Sequence, residues 1–389
     1  MRILHVHVRY REPGGEDVVV QAESQLMRDA GHDVGVFEVE NPHGARTFSA
    51  LAHAPWDRRG ARTVVATTDA FDADVVHLHN TWFALSPAVI AEFAARGRAL
   101  VMTLHNYRLM CVDGSLWRDN AICRECVGRS PLPGVVHGCY RDSRTLSTVA
   151  AATIVSARRH HVWDGVHTFI APTDTVRNAH VDAGIDPQRI VVKPHFLTDL
   201  GARTDPPSKS RTIVFAGRLA PTKGVERLLA AWRAAAPDLG DLELLIVGDG
   251  PLREQLERDA PRGVRFAGVR PLDETREHIK HARAFAFASE WLEPFGLVLL
   301  EAMAAGTPIV GTDTGSTADI VGDAGRLAPT GSTSALAAVL RATTDDAAVD
   351  ALGAAARARY VERYTPEVNR PQLEAIYRDA IDGINAIDA

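Results

Sequence analysis

Short runs of β-branched and aliphatic residues alternate with longer helix-patterned stretches along the whole chain, and this rhythm narrows the fold more than any other feature. Apolar runs of that length, bounded by turn residues, read as buried strands. When they alternate with helices they form parallel sheets covered on both faces. The first half predicts strands at 2–8, 33–39, 75–78, 99–104, 168–171 and 190–193. A polar, proline-containing stretch at 198–210 follows, with the composition of a linker. A second series then predicts strands at 212–216, 243–247, 264–267, 284–288 and 308–311. The expected architecture is α/β, with two Rossmann-like doubly wound parallel-sheet domains, 1–197 and 211–365. The helical segment 366–389 is expected to cross back onto the first domain.

Composition agrees with this division and excludes several classes. At 389 residues the chain is too long for one core. Its 46% hydrophobic and 24% charged residues, with a net charge of −6, describe an ordinary globular protein. Basic residues are scattered, so no stripe for nucleic acid is expected. No apolar run is long enough to span a bilayer. The opening MRILHVHV is too short an apolar run for a secretory signal and reads as a strand. A cytoplasmic location is expected, and peripheral contact with a membrane through a patch made only on folding stays open.

In doubly wound sheets ligands bind beyond the carboxyl ends of the strands, where strand order reverses. The candidate motifs all fall there. Glu290 to Gly306 (EWLEPFGLVLLEAMAAG) carries two carboxylates, Glu293 and Glu301. Pro294 suits a first helical position, which places Glu293 at a helix mouth and Glu301 about two turns further in. Phe295, Gly296 and Leu297 would then offer backbone N–H groups to an anion. The chemistry suits a sugar nucleotide, with hydroxyls at the carboxylates and phosphates at the helix start.

Gly217-Arg218 and Lys223-Gly224 flank another strand-to-helix turn, where two cations could clamp a diphosphate, Arg in a bidentate manner and Lys as a point charge. Gly248-Asp249-Gly250 ends the next strand and reads as a turn that lets backbone approach a nucleotide. Near the N-terminus, Pro13-Gly14-Gly15 opens a helix that ends at Gly31, an arrangement that admits a phosphate or is simply a tight turn. His105-Asn106 follows a hydrophobic strand, and a histidine there can hold a sugar hydroxyl or carry a proton. His77 and His79 read as structural.

With these residues in place the chain resembles the retaining glycosyltransferases of family 4, also called glycosyl transferases group 1. The resemblance covers nearly the whole chain. Glu293-Pro294-Phe295-Gly296 through Glu301 to Ala305-Gly306-Thr307-Pro308 is its most specific part, supported by Gly14-Gly15, Gly31-His32, Gly217-Arg218 and Lys223-Gly224. It implies the GT-B fold, in which a cleft separates the two domains. It also implies a nucleotide-diphosphate sugar donor, usually of UDP or GDP, and a glycan, lipid-linked glycan or small-molecule acceptor. By the same resemblance Arg218 and Lys223 hold the diphosphate, Glu301 the ribose, and Glu293 with Phe295, Gly296 and Leu297 the sugar or its phosphates. Gly14, Gly15, Gly248 and Gly250 border the donor, and His105 touches the transferred sugar. No cofactor is required for catalysis. Attack from the front face, with the leaving phosphate taking the acceptor's proton, needs no protein nucleophile. One departure is Pro194-His195-Phe196, where many relatives have Pro-Asn-Gly. A sugar-nucleotide epimerase of the same fold, or a silent sugar-nucleotide-binding module, is the alternative.

All four cysteines, Cys111, Cys123, Cys126 and Cys139, fall in an insertion at 111–139. A Cys-x-x-Cys pair with one more thiol on either side fits structural tetrahedral zinc, with free thiols or a redox pair as the alternatives.

Overall fold

The chain's contacts divide it into two units, one made of Met1–Leu116, Cys123–His195 and the residues from Pro366 onward, the other of Trp117–Ile122 and Phe196–Thr365. Residues 1–9 and 14–388 are described by the computed structural model; at 45, 46 and 385–388 it describes backbone alone. Pro13 lies outside the described residues.

The first unit is built on six parallel strands: β1 (Arg2–Arg9), β2 (Asp33–Glu40), β3 (Val75–Asn80), β4 (Ala99–Thr103), then, after a short hairpin of β5 (Trp117–Arg118) and β6 (Ala121–Ile122), β7 (Thr168–Ala171) and β8 (Ile190–Val192). Their order is β2-β1-β3-β4-β7-β8, which reverses between β1 and β3. β3 and β4 are buried along their whole length, as strands covered by helices on both faces must be. The helix Pro366–Asp388 belongs to this unit, and its Leu373 and Tyr377 are fully buried.

The second unit has its own six-stranded parallel sheet: β9 (Thr212–Ala216), β10 (Glu243–Val247), β11 (Val264–Gly268), β12 (Ala284–Phe287), β13 (Ile309–Asp313) and β14 (Gly325–Pro329). The order β11-β10-β9-β12-β13-β14 reverses between β9 and β12. Trp232, in the helix Val225–Ala235, is 1% exposed and packs on one face among Leu228, Leu244 and Leu256. Its indole N–H donates to the Arg262 carbonyl at 3.1 Å, so burial of the ring, worth ~1.5–3 kcal/mol, leaves no polar group stranded. On the other face Phe285, Leu299, Leu300, Met303 and Tyr360 form the matching layer.

Two doubly wound parallel sheets are therefore present, as the alternation predicts. The stretch 198–210 departs from a linker. The Arg203 N–H donates to the Ala305 carbonyl at 2.9 Å, and the Ser208 hydroxyl to Asp350 at 2.8 Å, so this segment is fastened to the second unit. Its polar side chains serve these bonds, which composition alone does not distinguish from solvation.

Candidate active site

The second unit's strand order reverses between β9 and β12, and the loops leaving these two strands carry the cations and the carboxylates. After β9 the chain passes Gly217-Arg218, makes a tight turn at Pro221–Lys223 and enters the helix Val225–Ala235. After β12 it runs through Ser289, Glu290, Trp291 and Glu293 before the helix Leu297–Ala305. The two loops are joined by one carboxylate. Oε2 of Glu293 accepts from the Lys223 ammonium at 2.6 Å, the Trp291 indole N–H at 2.8 Å and the Ser289 hydroxyl at 3.0 Å. The ammonium also lies 5.6 Å from the centre of the Trp291 ring, within cation–π range. Neighbouring Glu290 is a pin: it accepts from Arg227 at 2.6 Å and from the Gly331 N–H at 3.1 Å. Arg218 differs from both cations. It is exposed, and among the described residues its guanidinium makes no hydrogen bond or ion pair. An anion brought to this turn thus meets one cation already held by a carboxylate and one left open.

The helix after β12 begins at Leu297, three residues later than Pro294 would place it. Gly296 is the residue before the first turn, and its carbonyl accepts the Leu299 N–H at 2.8 Å. Pro294 and Phe295 are spent on carrying the Phe295 ring into the core, edge-on to Tyr364 at 6.5 Å. Glu301 consequently lies just over one turn in, not two. Its Oε1 accepts from Arg276 Nε at 2.9 Å. Burial pushes the Glu301 carboxyl up, and Arg276 opposes that shift. Arg276, Trp291 and Ser289 were not foreseen: Arg276 sits 25 residues before its partner on the helix Leu272–Lys280, and no spacing rule links them.

Gly248 and Gly250 serve the chain itself. A Cβ on Gly248, whose φ is +135°, would stand 2.0 Å from the Gly217 carbonyl oxygen, and one on Gly250 would stand 2.5 Å from that of Leu219. These glycines let the loops after β9 and β10 touch backbone to backbone. Approach of a nucleotide is not what demands them, although the resulting contact sets the path of the Arg218 turn.

In the first unit, Gly14 precedes the helix Gly15–Asp29. Its N–H is already taken by Asp17 Oδ2 at 2.7 Å, and the first turn carries Glu16 and Asp17. Two carboxylates oppose the phosphate site read from Gly14-Gly15. The Glu16 carboxyl accepts from Asn106 at 2.8 Å, leaves Oε2 buried without a partner among the described residues, and is pushed up to about 7 by burial. His105, just beyond β4, lines a cavity of about 40 Å³ with Asn80, Trp82, Asn106 and Arg108. Around it lies a cluster that no single motif announces. His5, His7, His77, His79, His105 and His195 are all buried. His7 Nε2 is bonded to Asp17 at 2.9 Å, while His77 is bonded to the Tyr377 hydroxyl at 2.8 Å and the Thr103 hydroxyl at 2.7 Å. His195 stacks on His105 with 5.3 Å between ring centres. Below them Lys193 and Glu23 form an ion pair of 2.8 Å, each side chain 1% exposed. The visible signal was His-x-His on both β1 and β3, since alternate residues of a strand share a face.

The four cysteines are thiols with no disulfide, and Cys126 is the most buried. Burial pushes the Cys111 and Cys126 thiols up. Cys139 packs against the apolar cluster of Trp82, Phe83 and Tyr140. Among the described residues no three cysteine sulfurs converge to ligating distance; the converging groups are His5-His77-His79 and His7-Asp17-Glu38.

Residues 210–346, which hold every member of the second unit's constellation, match the family model for glycosyl transferases group 1. Over 94% of its length the chain is 28% identical to the phosphatidyl-myo-inositol mannosyltransferase of Mycolicibacterium smegmatis, 90% of which is covered. The chain is a glycosyltransferase. The transferase is also 22% identical to the N-acetyl-alpha-D-glucosaminyl L-malate synthase of Bacillus anthracis, over 96% of both chains. In fold it matches HepE of Anabaena, solved in complex with UDP, at a TM-score of 0.68 and 19% identity, over 97% of this chain and all of that one. The GT-B architecture is thereby established. Among the described residues the transferase has no helix long and apolar enough to cross a membrane.

Proposed function

We propose that the transferase moves a sugar from a nucleotide-diphosphate donor, UDP- or GDP-linked, to a hydroxyl acceptor with retention of configuration at the anomeric carbon. The observation that carries this reading is the cation arrangement at the β9 turn, with Arg218 open and Lys223 held by Glu293. A leaving diphosphate gains negative charge as the bond to the sugar breaks, and cations already in place stabilise that charge without reorganising. Arg218 and Lys223 fill this role with no metal ion. Glu301, turned by Arg276, offers its second oxygen to a ribose hydroxyl. His105 serves as a hydrogen-bonding group for a ligand hydroxyl.

In a front-face reaction the leaving phosphate oxygen accepts the acceptor's proton, so positioning and charge stabilisation are the protein's share. UDP is the first donor base to test, because HepE was crystallised with UDP and with UDP-glucose. A phosphoinositide-type or other lipid-linked acceptor is supported by the name of the mycolicibacterial relative, and a small-molecule acceptor by that of the N-acetyl-alpha-D-glucosaminyl L-malate synthase. Peripheral membrane contact belongs with the lipid-linked case.

The test is a screen of UDP- and GDP-sugars with NMR of the product. Nucleotide release that requires an acceptor and yields the donor's own anomer supports the reading. Inversion, or binding with no turnover on any donor and acceptor, would sink it.

A further inference from the structure

Three imidazoles run as one hydrogen-bonded chain through the first unit's sheet. His5 Nδ1 on β1 is 2.8 Å from His79 Nε2 on β3, and His79 Nδ1 is 3.0 Å from His105 Nε2 beyond β4. The rings are nearly parallel, at 24° and 26°, with centres 5.1 and 5.3 Å apart. Burial holds all three neutral, pushing His5 down to about 4 and His79 and His105 well below the ordinary range. A neutral imidazole has one N–H and one lone pair, so each link requires a donor on one ring and an acceptor on the next. The protons therefore all point one way along the chain or all the other, and fixing one ring fixes the rest.

What fixes the direction is His5. Its Nε2 is buried with no partner among the described residues. If the protons ran from His105 toward His5, that atom would be a buried N–H with no acceptor. Run the opposite way, it is a bare lone pair, and orphaned donors are the rarer state in folded proteins. His77 has both ring nitrogens bonded, to Tyr377 and to Thr103, and His7, whose Nε2 is bonded to Asp17, makes no bond to His5. His5 then donates from Nδ1 to His79 Nε2, His79 donates from Nδ1 to His105 Nε2, and His105 keeps its proton on Nδ1.

We propose that His5 and His79 are positioning residues that hold His105 in the Nδ1–H tautomer, so that His105 meets a ligand oxygen as a donor. The ligand role of His105 rests on the function proposed above; the tautomer does not. Both can be read on the full chain carrying ring-15N histidine, with His105→Gln identifying the His105 signals. The expected spectrum has His105 Nδ1 protonated and Nε2 bare. His5→Leu removes the terminal donor and should mix the two tautomers at His105, with kcat/KM falling about tenfold, the scale of one neutral hydrogen bond. His5→Gln, whose amide N–H can still donate to His79, should restore both readouts. His79→Phe is the second break in the chain should His5→Leu not fold. A wild-type His105 protonated on Nε2, or an unchanged His105 signal in the broken variants, overturns the proposal. Expected tautomer shifts with kinetics that His105→Gln leaves intact would keep the positioning and discard the ligand role.

Discussion

Lys223 and Glu293 lie seventy residues apart in sequence and share a hydrogen bond of 2.6 Å. The pair spans the strand reversal of the second unit, and Glu293 is also held by Trp291 and Ser289. In the proposed role of Lys223 at the donor diphosphate, Lys223→Met would remove a charge-assisted contact worth ~1.5–3 kcal/mol, so UDP should bind roughly 10- to 100-fold more weakly by calorimetry. Glu293→Gln leaves the ammonium in place and should cost nucleotide affinity less. Equal losses in the two variants would mean that the pair acts only as a structural tie.

Arg276 opposes the effect of burial on Glu301. Burial raises that carboxyl and the guanidinium 2.9 Å away lowers it, so Arg276→Leu should raise it further. A ribose hydroxyl is best accepted by the ionised form. Nucleotide affinity in the variant should therefore begin to fall at a higher pH than in the parent as pH is lowered from 8 to 5. Superimposable Kd profiles would remove Glu301 from the ribose contact.

Glu16 predicts a pH-dependent stability with a defined sign. Its folded-state value of about 7 exceeds the ordinary 4.5, so the unfolded chain loses this proton first. The native state is penalised progressively as pH rises from about 4.5 to about 7, and the penalty is constant above that, at most ~3 kcal/mol. Glu16→Gln should raise Tm at pH 8 and leave it little changed at pH 4.5. A Tm difference that does not grow with pH would show that the carboxyl is solvated.

Lys193 and Glu23 are a buried pair with almost no exposure. Lys193→Met strands the Glu23 charge and should destabilise the protein by ~3–5 kcal/mol, whereas the double change with Glu23→Leu should recover part of it. Chemical denaturation of the three proteins distinguishes a stranded charge from lost packing, which the double change would not repair.

Alkylation separates the readings of the four thiols. Free thiols should react in the order of their accessibility, Cys123 ahead of Cys111 and Cys126, whose burial raises them. A zinc site would protect all four until a chelator removed the metal, and mass spectrometry of partly labelled protein would show it.

The parts of this molecule that local chemistry controls were readable in advance. β9 announces itself because a parallel strand buried on both faces needs a continuous apolar run, and β1 is legible from Ile3, Leu4, Val6 and Val8 although His5 and His7 interrupt it. The Gly217-Arg218 turn stood out because strand, glycine and cation occur together. β14 went unread because Gly325-Arg326-Leu327-Ala328-Pro329 holds no β-branched residue and forms a strand only by pairing with β13. The helix start at Leu297 was misplaced because Phe295's need for the core outweighed Pro294's preference for a first turn. Arg276 and Trp291, like the order of the histidines, depend on which segments tertiary structure brings together. Sequence spacing carries no information about that.

The helix Pro366–Asp388 has a consequence for synthesis. Its Tyr377 bonds to His77, and its apolar face closes the layer against β3 and β4. On the ribosome, the first sheet emerges long before the helix that completes it, with Phe196–Thr365, the bulk of the second unit, made in between. The earlier-made unit is thus the later one to mature. A nascent chain that has emerged from the ribosome as far as residue 365 would present one unit able to finish its core and another still waiting for its last layer, a natural target for chaperones.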